Sequence, residues 1–438
     1  MLLRSIVLSV ALVAILAPVA SIATAATDDP AQGGSGAALL EALARVPDTA
    51  AARESLVSYL DQETLVATRP GAAQPASVAE ALALLETDDP AASLWLAAFM
   101  GANSGDAGLV HALFMAGGWP RVVGFDLLDV DRHLSFGTPP SDGSVLLGAF
   151  EPQAIADAFA SRGYTASEAG DRTLLCGAAG CDTGMDVDLA KADRSLPFGG
   201  EIGRSEPVAI SGQEILNSAD LATLEAMLAA ADGEATSLAD DPAYRALALA
   251  GDPAVPLIQA TFLPGGMLGL GPDIYQILGR QLLGRSPEAV AKLTAQLMAQ
   301  LDETFEPMPA ADAVAILDGA TDTEQVVTIA LAYADEADAA IAADVLPRRL
   351  ETLPAASYEV ALAELLADRG ATSVAGSVQP AGEGTSAVAR IEVRAPLADS
   401  EVDAATGQPT PSSSLYRLLI DLVQRRDLLW LVPVLPLE

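Results

Sequence analysis

The chain has 438 residues, 51% of them apolar, with 59 acidic against 23 basic side chains and a formal charge of −36. Its length points to about two or three domains, and its apolar share excludes wholesale disorder. A field of that sign repels phosphate backbones and anionic lipid. No nucleic-acid partner is therefore expected, and membrane contact is expected only through an uncleaved leader.

The N-terminus reads as a signal peptide over residues 1–25. Arg4 supplies the positive region, Ile6 to Ala17 the apolar stretch, and Ala23-Thr24-Ala25 a cleavage site, so the mature chain starts near Ala26. An uncleaved anchor is the alternative. No cysteine follows the apolar stretch, which argues against a lipid anchor. An extracytoplasmic location follows, secreted or at the cell envelope. Residues 26–36 form a glycine-rich, flexible entry.

Residues 37–250 read as a first α+β module with a helical preface. Leu39, Leu40 and Leu43 give one apolar stripe, Val78, Leu82 and Leu85 a second, and Leu94, Ala98 and Phe99 a third. Between them Ser55 to Leu60 suits a short strand. A strand is then predicted over Val122 to Leu128, a turn at Thr138-Pro139-Pro140 and Asp142-Gly143, and a strand over Val145 to Phe150. Pro152 opens a helix that buries Ile155, Ala158 and Phe159 and stops at Gly163. A hairpin over Tyr164 to Ala166 and Thr173 to Cys176 completes a strand-strand-helix-strand-strand order. An irregular stretch, Asp182 to Ser205, leads to a strand over Val208 to Ser211, a helix over Ala219 to Ala231 and a capping sequence at Ser237 to Asp240.

The run GFDLLDVDRHLSFGTPP, with GAFEPQAIADAFASRGY after it, resembles a group of uncharacterised exported proteins from high-GC bacteria. That resemblance implies export and brings no activity and no catalytic residues with it.

Residues 251–396 repeat the element order as a second module. Val255 to Phe262 reads as a strand, Gly265 to Gly271 as a loop, and Asp273 to Leu283 and Pro287 to Leu301 as helices. Strands over Ala313 to Leu317 and Val326 to Tyr333 are joined at Asp318-Gly319. A helix from Asp335 is kinked or restarted by Pro347, and another spans Tyr358 to Leu366. Thr372 to Val378 and Ala387 to Arg394 form a hairpin. In its last strand Ala389, Ile391 and Val393 face inward and Arg390, Glu392 and Arg394 outward. Residues 397–414 are a linker by composition. Residues 415–438 hold an amphipathic helix and an apolar tail with Trp430, expected to pack on its own chain.

Cys176 and Cys181 are the chain's two cysteines. Five residues apart in an exported chain, they suit a disulfide better than a redox or metal pair. Of the two histidines, His111 lies four residues before Met115, a spacing that suits haem ligation or, more simply, a core edge. His133 follows Asp126, Asp129 and Asp131, the grouping best placed for a divalent metal or a metal-assisted hydrolase if the strand turns after Leu128. Otherwise these aspartates form a solvated strand end. Asp182-Thr183-Gly184 matches the aspartic-protease tripeptide but has neither the flanking strand nor a second copy. Asp182, Asp186, Asp188 and Asp193 suit calcium in an irregular loop, outside any EF-hand spacing. The glycines of Gly265 to Gly271 are wrongly ordered for a dinucleotide fingerprint, which leaves a flexible turn. Aromatics make up 4% of the chain, too few to furnish a sugar-stacking cleft readily.

Together these features predict an exported, non-enzymatic binding or scaffold protein of the cell envelope with an envelope or extracellular partner. A hydrolase centred on His133 and a calcium-stabilised adhesion protein are the alternatives. No cofactor is expected beyond that calcium.

Overall fold

A computed structural model describes residues 36–68, 74–87, 89–101, 118–181, 187–193, 195–264, 267, 286–289, 291–292, 295, 305–355, 357–358, 360–397 and 414–433. Val57–Asp61 (β1) is buried along its whole length, with Val57 and Tyr59 turned to one side and Ser58 and Leu60 to the other. Val130–Phe136 (β2) pairs with it antiparallel, and Gly143–Gly148 (β3) pairs with β2. Thr165–Ala169 (β4), Arg172–Cys176 (β5), Val208–Ile210 (β6) and Glu214–Ser218 (β7) follow. Leu257–Leu263 (β8), Ala313–Ala320 (β9) and Glu324–Tyr333 (β10) come next. Pro354–Ala355 (β11) and Val360–Ala361 (β12) make a separate two-stranded ladder, and Ser373–Gln379 (β13) and Ala387–Pro396 (β14) end the series.

The other strands form one twelve-stranded sheet in the order β13-β14-β10-β9-β8-β1-β2-β3-β7-β6-β5-β4. All the pairings are antiparallel, and β1, sixth in that order, joins β8, the fifth. The mixed α+β class expected from the sequence is what forms. The sheet runs unbroken across residue 251, and the chain from Gly34 onward is one compact unit.

Strand alternation assigns the layers. On one face Leu134, Val145, Leu216, Ala260, Leu317 and Ala330 share a core with the helices Ala37–Leu43, Leu221–Ala231 and Pro242–Ala248. The opposite face carries two cores. Ile316, Ile329 and Ile391 pack under the helices Glu336–Thr352 and Ser414–Gln424. Leu146, Ile210 and Ile215 pack under Val78–Leu85, Pro90–Gly101 and Pro152–Ala160. Leu60, Leu65, Ala98, Ile258 and Ala320 form a small separate apolar group, with Leu397 packed against it.

The apolar tail packs on its own chain, with Leu428 to Leu431 in the core beneath the Glu336–Thr352 helix. Arg349 of that helix, 1% exposed, donates through Nη1 to the Val432 carbonyl at 2.6 Å and through Nε to the Glu306 carbonyl at 2.8 Å. Its guanidinium lies 4.1 Å from the centre of the Phe305 ring.

Several elements differ from expectation for local reasons. The expected strand at Val122 is the end of a helix, Trp119–Val123, with Pro120 in its first turn and Gly124 (φ 85°) closing it. A Cβ at Gly124 would come within 2.5 Å of the Ile155 Cα, so this turn fixes the approach of the Pro152–Ala160 helix. Strand β2 begins only after a 3-10 turn, Leu127–Asp129. Ser237 and Asp240 close a hydrogen-bonded turn, and the next helix starts at Pro242 under an Asp241 cap. Asp318 and Gly319 lie inside β9, and the β9–β10 turn is made by residues 321–323. The Glu336–Thr352 helix continues through Pro347, and the helix expected from Tyr358 begins at Leu362. The leader, the predicted helix over 273–283, most of that over 287–301, and most of the linker lie outside the described residues.

Candidate functional site: a polar cavity at the centre of the sheet

Where the two cores of one face meet, the strands place a row of small polar side chains side by side. Thr261 of β8 is opposite Ser58 of β1, Ser58 is opposite Ser135 of β2, Ser135 opposite Ser144 of β3, and Ser144 opposite Asn217 of β7. All five point away from the face that carries Tyr59, Leu134, Val145, Leu216 and Ala260, because each is a strand neighbour of one of those residues. The row lines a cavity of about 430 Å³. That volume suits a small molecule.

The cavity has walls of different chemistry. Ile420, Val423 and Gln424 come from the Ser414–Gln424 helix, Pro139 and Asp142 from the turn between β2 and β3, and Gly143 from the start of β3. The opposite wall is the segment 197–206, which contributes Glu201, Ile202, Arg204 and Glu206. Gly199 (φ 75°) and Gly203 (φ 73°) let this segment curl, and a side chain at Gly199 would collide with the Glu206 carboxylate.

The polar groups are held in place. Arg204 Nη1 lies 3.6 Å from Glu206 Oε1, and Arg204 Nη2 donates to the Ala219 carbonyl at 2.5 Å. Asn217 Nδ2 donates to Glu206 Oε2 at 3.3 Å and to the Pro207 carbonyl at 3.3 Å. Thr261 Oγ1 and the Tyr416 hydroxyl share a 2.7 Å hydrogen bond, which ties the C-terminal helix to the floor. Arg204 and Glu206 are 3% and 8% exposed, so their charges interact in a largely desolvated wall.

Comparison with protein-family models and with curated proteins finds no match. Among solved structures the chain is similar to crystal form I of TP0453, at 9% identity and a TM-score of 0.32 over 87% of this chain and 97% of that one. It is also similar to crystal form III of TP0453, at 10% identity and a TM-score of 0.26 over 81% and 92%. At those values the likeness extends to neither ligand nor activity.

Those residues singled out in the sequence that the structure describes lie elsewhere. Asp126 caps the 3-10 turn: its carboxylate accepts from the backbone of Leu128 at 3.1 Å and of Val78 at 3.2 Å, and its own N–H donates to Asp129 Oδ2 at 2.7 Å. Burial pushes the Asp129 carboxyl upward against the lowering effect of the Asp126 backbone bond. Asp131 is exposed at the start of β2 and is also shifted upward, by partial burial and by repulsion from Glu63. His133 is 1% exposed in mid-strand, opposite Leu60 and Leu146. None of these four lines the cavity.

Cys176 and Cys181 form the disulfide, with Cα atoms 4.6 Å apart. Asp188 is half-exposed and pairs with Lys191 at 3.0 Å, which lowers its carboxyl below the usual range. Asp193 accepts from Arg162 and Ser195. His111, Met115, Asp182 and Asp186 lie outside the described residues. Among the described residues no three histidine, cysteine or carboxylate side chains are grouped to hold a metal ion. Nor is any helix among them long and apolar enough to cross a membrane.

The polar row could not be read from the sequence, because its members come from five strands spread between residues 58 and 261. One local signal was present. Ser58, Ser135, Ser144 and Thr261 each sit inside a strand where an apolar residue would fit the pattern on a face otherwise covered.

Proposed function

We propose that this chain is an exported binding protein of the cell envelope that holds a small polar molecule in the cavity over the middle of the sheet. The carrying observation is the row Thr261, Ser58, Ser135, Ser144 and Asn217, which places hydroxyl and amide groups on the floor of a cavity of about 430 Å³. A face closed by packing alone would carry apolar side chains at these positions, as it does on both sides of the row. The disulfide supports an oxidising compartment.

The same reading includes two related modules set back to back. The strand order counted outward from the β1–β8 contact supports it, running 1-2-3-7-6 in one direction and 8-9-10-14-13 in the other. In each direction a helix precedes the returning strands, Pro152–Ala160 in one and Glu336–Thr352 in the other. The hairpin β4–β5 is then an addition at one edge, and the cavity occupies the seam between the modules.

The binding reading is tested by thermal unfolding of the wild type and of Ser135→Phe, which fills the cavity from its floor, against a panel of small polar molecules. A saturable rise in melting temperature that disappears in Ser135→Phe is expected. A panel with no such compound, or one whose effects survive the filled cavity, would contradict the reading.

A further inference from the structure

The cavity wall carries three carboxylates, Asp142, Glu201 and Glu206, against one guanidinium, Arg204. That guanidinium is already directed at Glu206 and at the Ala219 carbonyl. The remaining polar lining is hydroxyl and amide, able to accept hydrogen bonds without adding positive charge. We propose that the ligand of this cavity is a small organic cation bearing a primary ammonium group. The inference rests on the binding reading above and adds the charge class of what is bound.

Three physical arguments converge. An ammonium carries three donors and no acceptor, and this lining offers carboxylate and hydroxyl oxygens on several sides. A charge entering a largely desolvated site needs an opposite charge to offset lost hydration; Arg204 balances one of the three lining carboxylates, Glu206, and the lining keeps a formal excess of negative charge beyond that pair. The whole-chain charge of −36 draws cations toward the surface and repels anions, so the formal excess of carboxylates in the cavity has the same sign as the field outside. An anionic ligand would have to oppose both.

Calorimetric titration with three four-carbon probes differing only in their ends tests the charge class. These are putrescine with two ammonium groups, 1,4-butanediol with two hydroxyls, and succinate with two carboxylates, each at near-physiological salt to screen diffuse attraction. Putrescine is expected to bind one to one and at least tenfold more tightly than either of the others. Ser135→Phe is expected to abolish this binding, Glu206→Gln to weaken it at least tenfold, and Glu225→Gln, on the exposed side of the Leu221–Ala231 helix, to leave it unchanged. Should Glu206→Gln fail to fold, Glu201→Gln at an exposed position is expected to weaken putrescine several-fold. Absence of putrescine binding, or putrescine binding that survives Ser135→Phe or falls equally with Glu225→Gln, overturns the inference. Butanediol or succinate binding as tightly as putrescine, and lost in Ser135→Phe, also overturns it while leaving the cavity as a binding site.

Discussion

Arg349 shows how much one side chain's surroundings decide. It adjoins Arg348 in sequence, yet Arg348 lies in solvent, bridging Glu306 at 2.6 Å and Asp344 at 2.8 Å, while Arg349 is enclosed and bonded to main-chain carbonyls of the C-terminal tail. Burial pushes the Arg349 guanidinium down to about 10, still charged at neutral pH. Arg349→Ala is expected to cost about 3 kcal/mol by urea unfolding, because buried carbonyls lose a charged donor, and to release Trp430 into water with a red-shifted emission. Arg348→Ala is expected to cost less than about 1 kcal/mol. The sequence shows two adjacent arginines. Only the helical phase, with Val345, Leu346 and Leu350 buried beside it, reveals that position 349 belongs to the core.

A second prediction at this scale concerns pH. Asp61 ends β1 and accepts from the Thr64 backbone at 2.7 Å, capping the helix Gln62–Ala67. Its carboxyl is raised, chiefly by burial and against that backbone bond. A carboxyl raised in the folded state takes up its proton before the unfolded chain does. Its contribution therefore becomes less favourable as pH rises from the ordinary aspartate value through the raised one. Asp61→Asn keeps the cap and removes the charge. The variant is expected to unfold at a denaturant concentration at or above that of the wild type at pH 7, with a flatter dependence of the midpoint on pH across that window.

Elements whose pattern is self-contained were legible in the sequence. The hairpin β4–β5, the alternation of β14 and the period of the Ser414–Gln424 helix each needed only their own residues. Elements that depend on distant partners were not. Strand β7, Glu214–Ser218, carries a carboxylate, an amide and a hydroxyl, and is buried because Arg172 and Arg45 reach Glu214 at 2.7 and 3.1 Å. Strand β1 was expected as a short strand over Ser55 to Leu60, but nothing in its own residues showed that it would lie near the middle of a twelve-stranded sheet, between β8 and β2. The approach of β13 to the Glu336–Thr352 helix depends on Gly376, where a Cβ would lie 1.9 Å from the Ala343 carbonyl oxygen. Gly376→Ala is expected to cost about 1–3 kcal/mol by denaturant unfolding, whereas Gly212→Ala, with nothing nearer than 3.9 Å, is expected to stay within about 0.5 kcal/mol of the wild type. Replacing both Cys176 and Cys181 by serine is expected to cost about 2 kcal/mol, the loop-closure value for so short a ring.

At the scale of the whole molecule, one apolar core lies beneath the sheet from β14 to β6 while the other face is divided between two. The division leaves the polar row and its cavity at the centre, where strands from both halves of the chain meet. Composition made the acidic field legible, and the Asp126 to His133 stretch drew attention because its charges are close in sequence. The cavity was hidden because its floor is assembled across antiparallel registers linking residues up to 203 positions apart, as between Ser58 and Thr261.

The central claim is that the floor hydroxyls of Ser58 and Ser135 serve a ligand, while Thr261 and Asn217 of the same row are bonded within the fold. Its most direct test is the denaturant-unfolding free energy of the ligand-free double variant Ser58→Ala, Ser135→Ala. Hydroxyls reserved for a ligand contribute little to folding, so the variant is expected to match the wild type within about 1 kcal/mol or to exceed it. A loss of more than about 2 kcal/mol would assign these hydroxyls to internal packing and contradict the account.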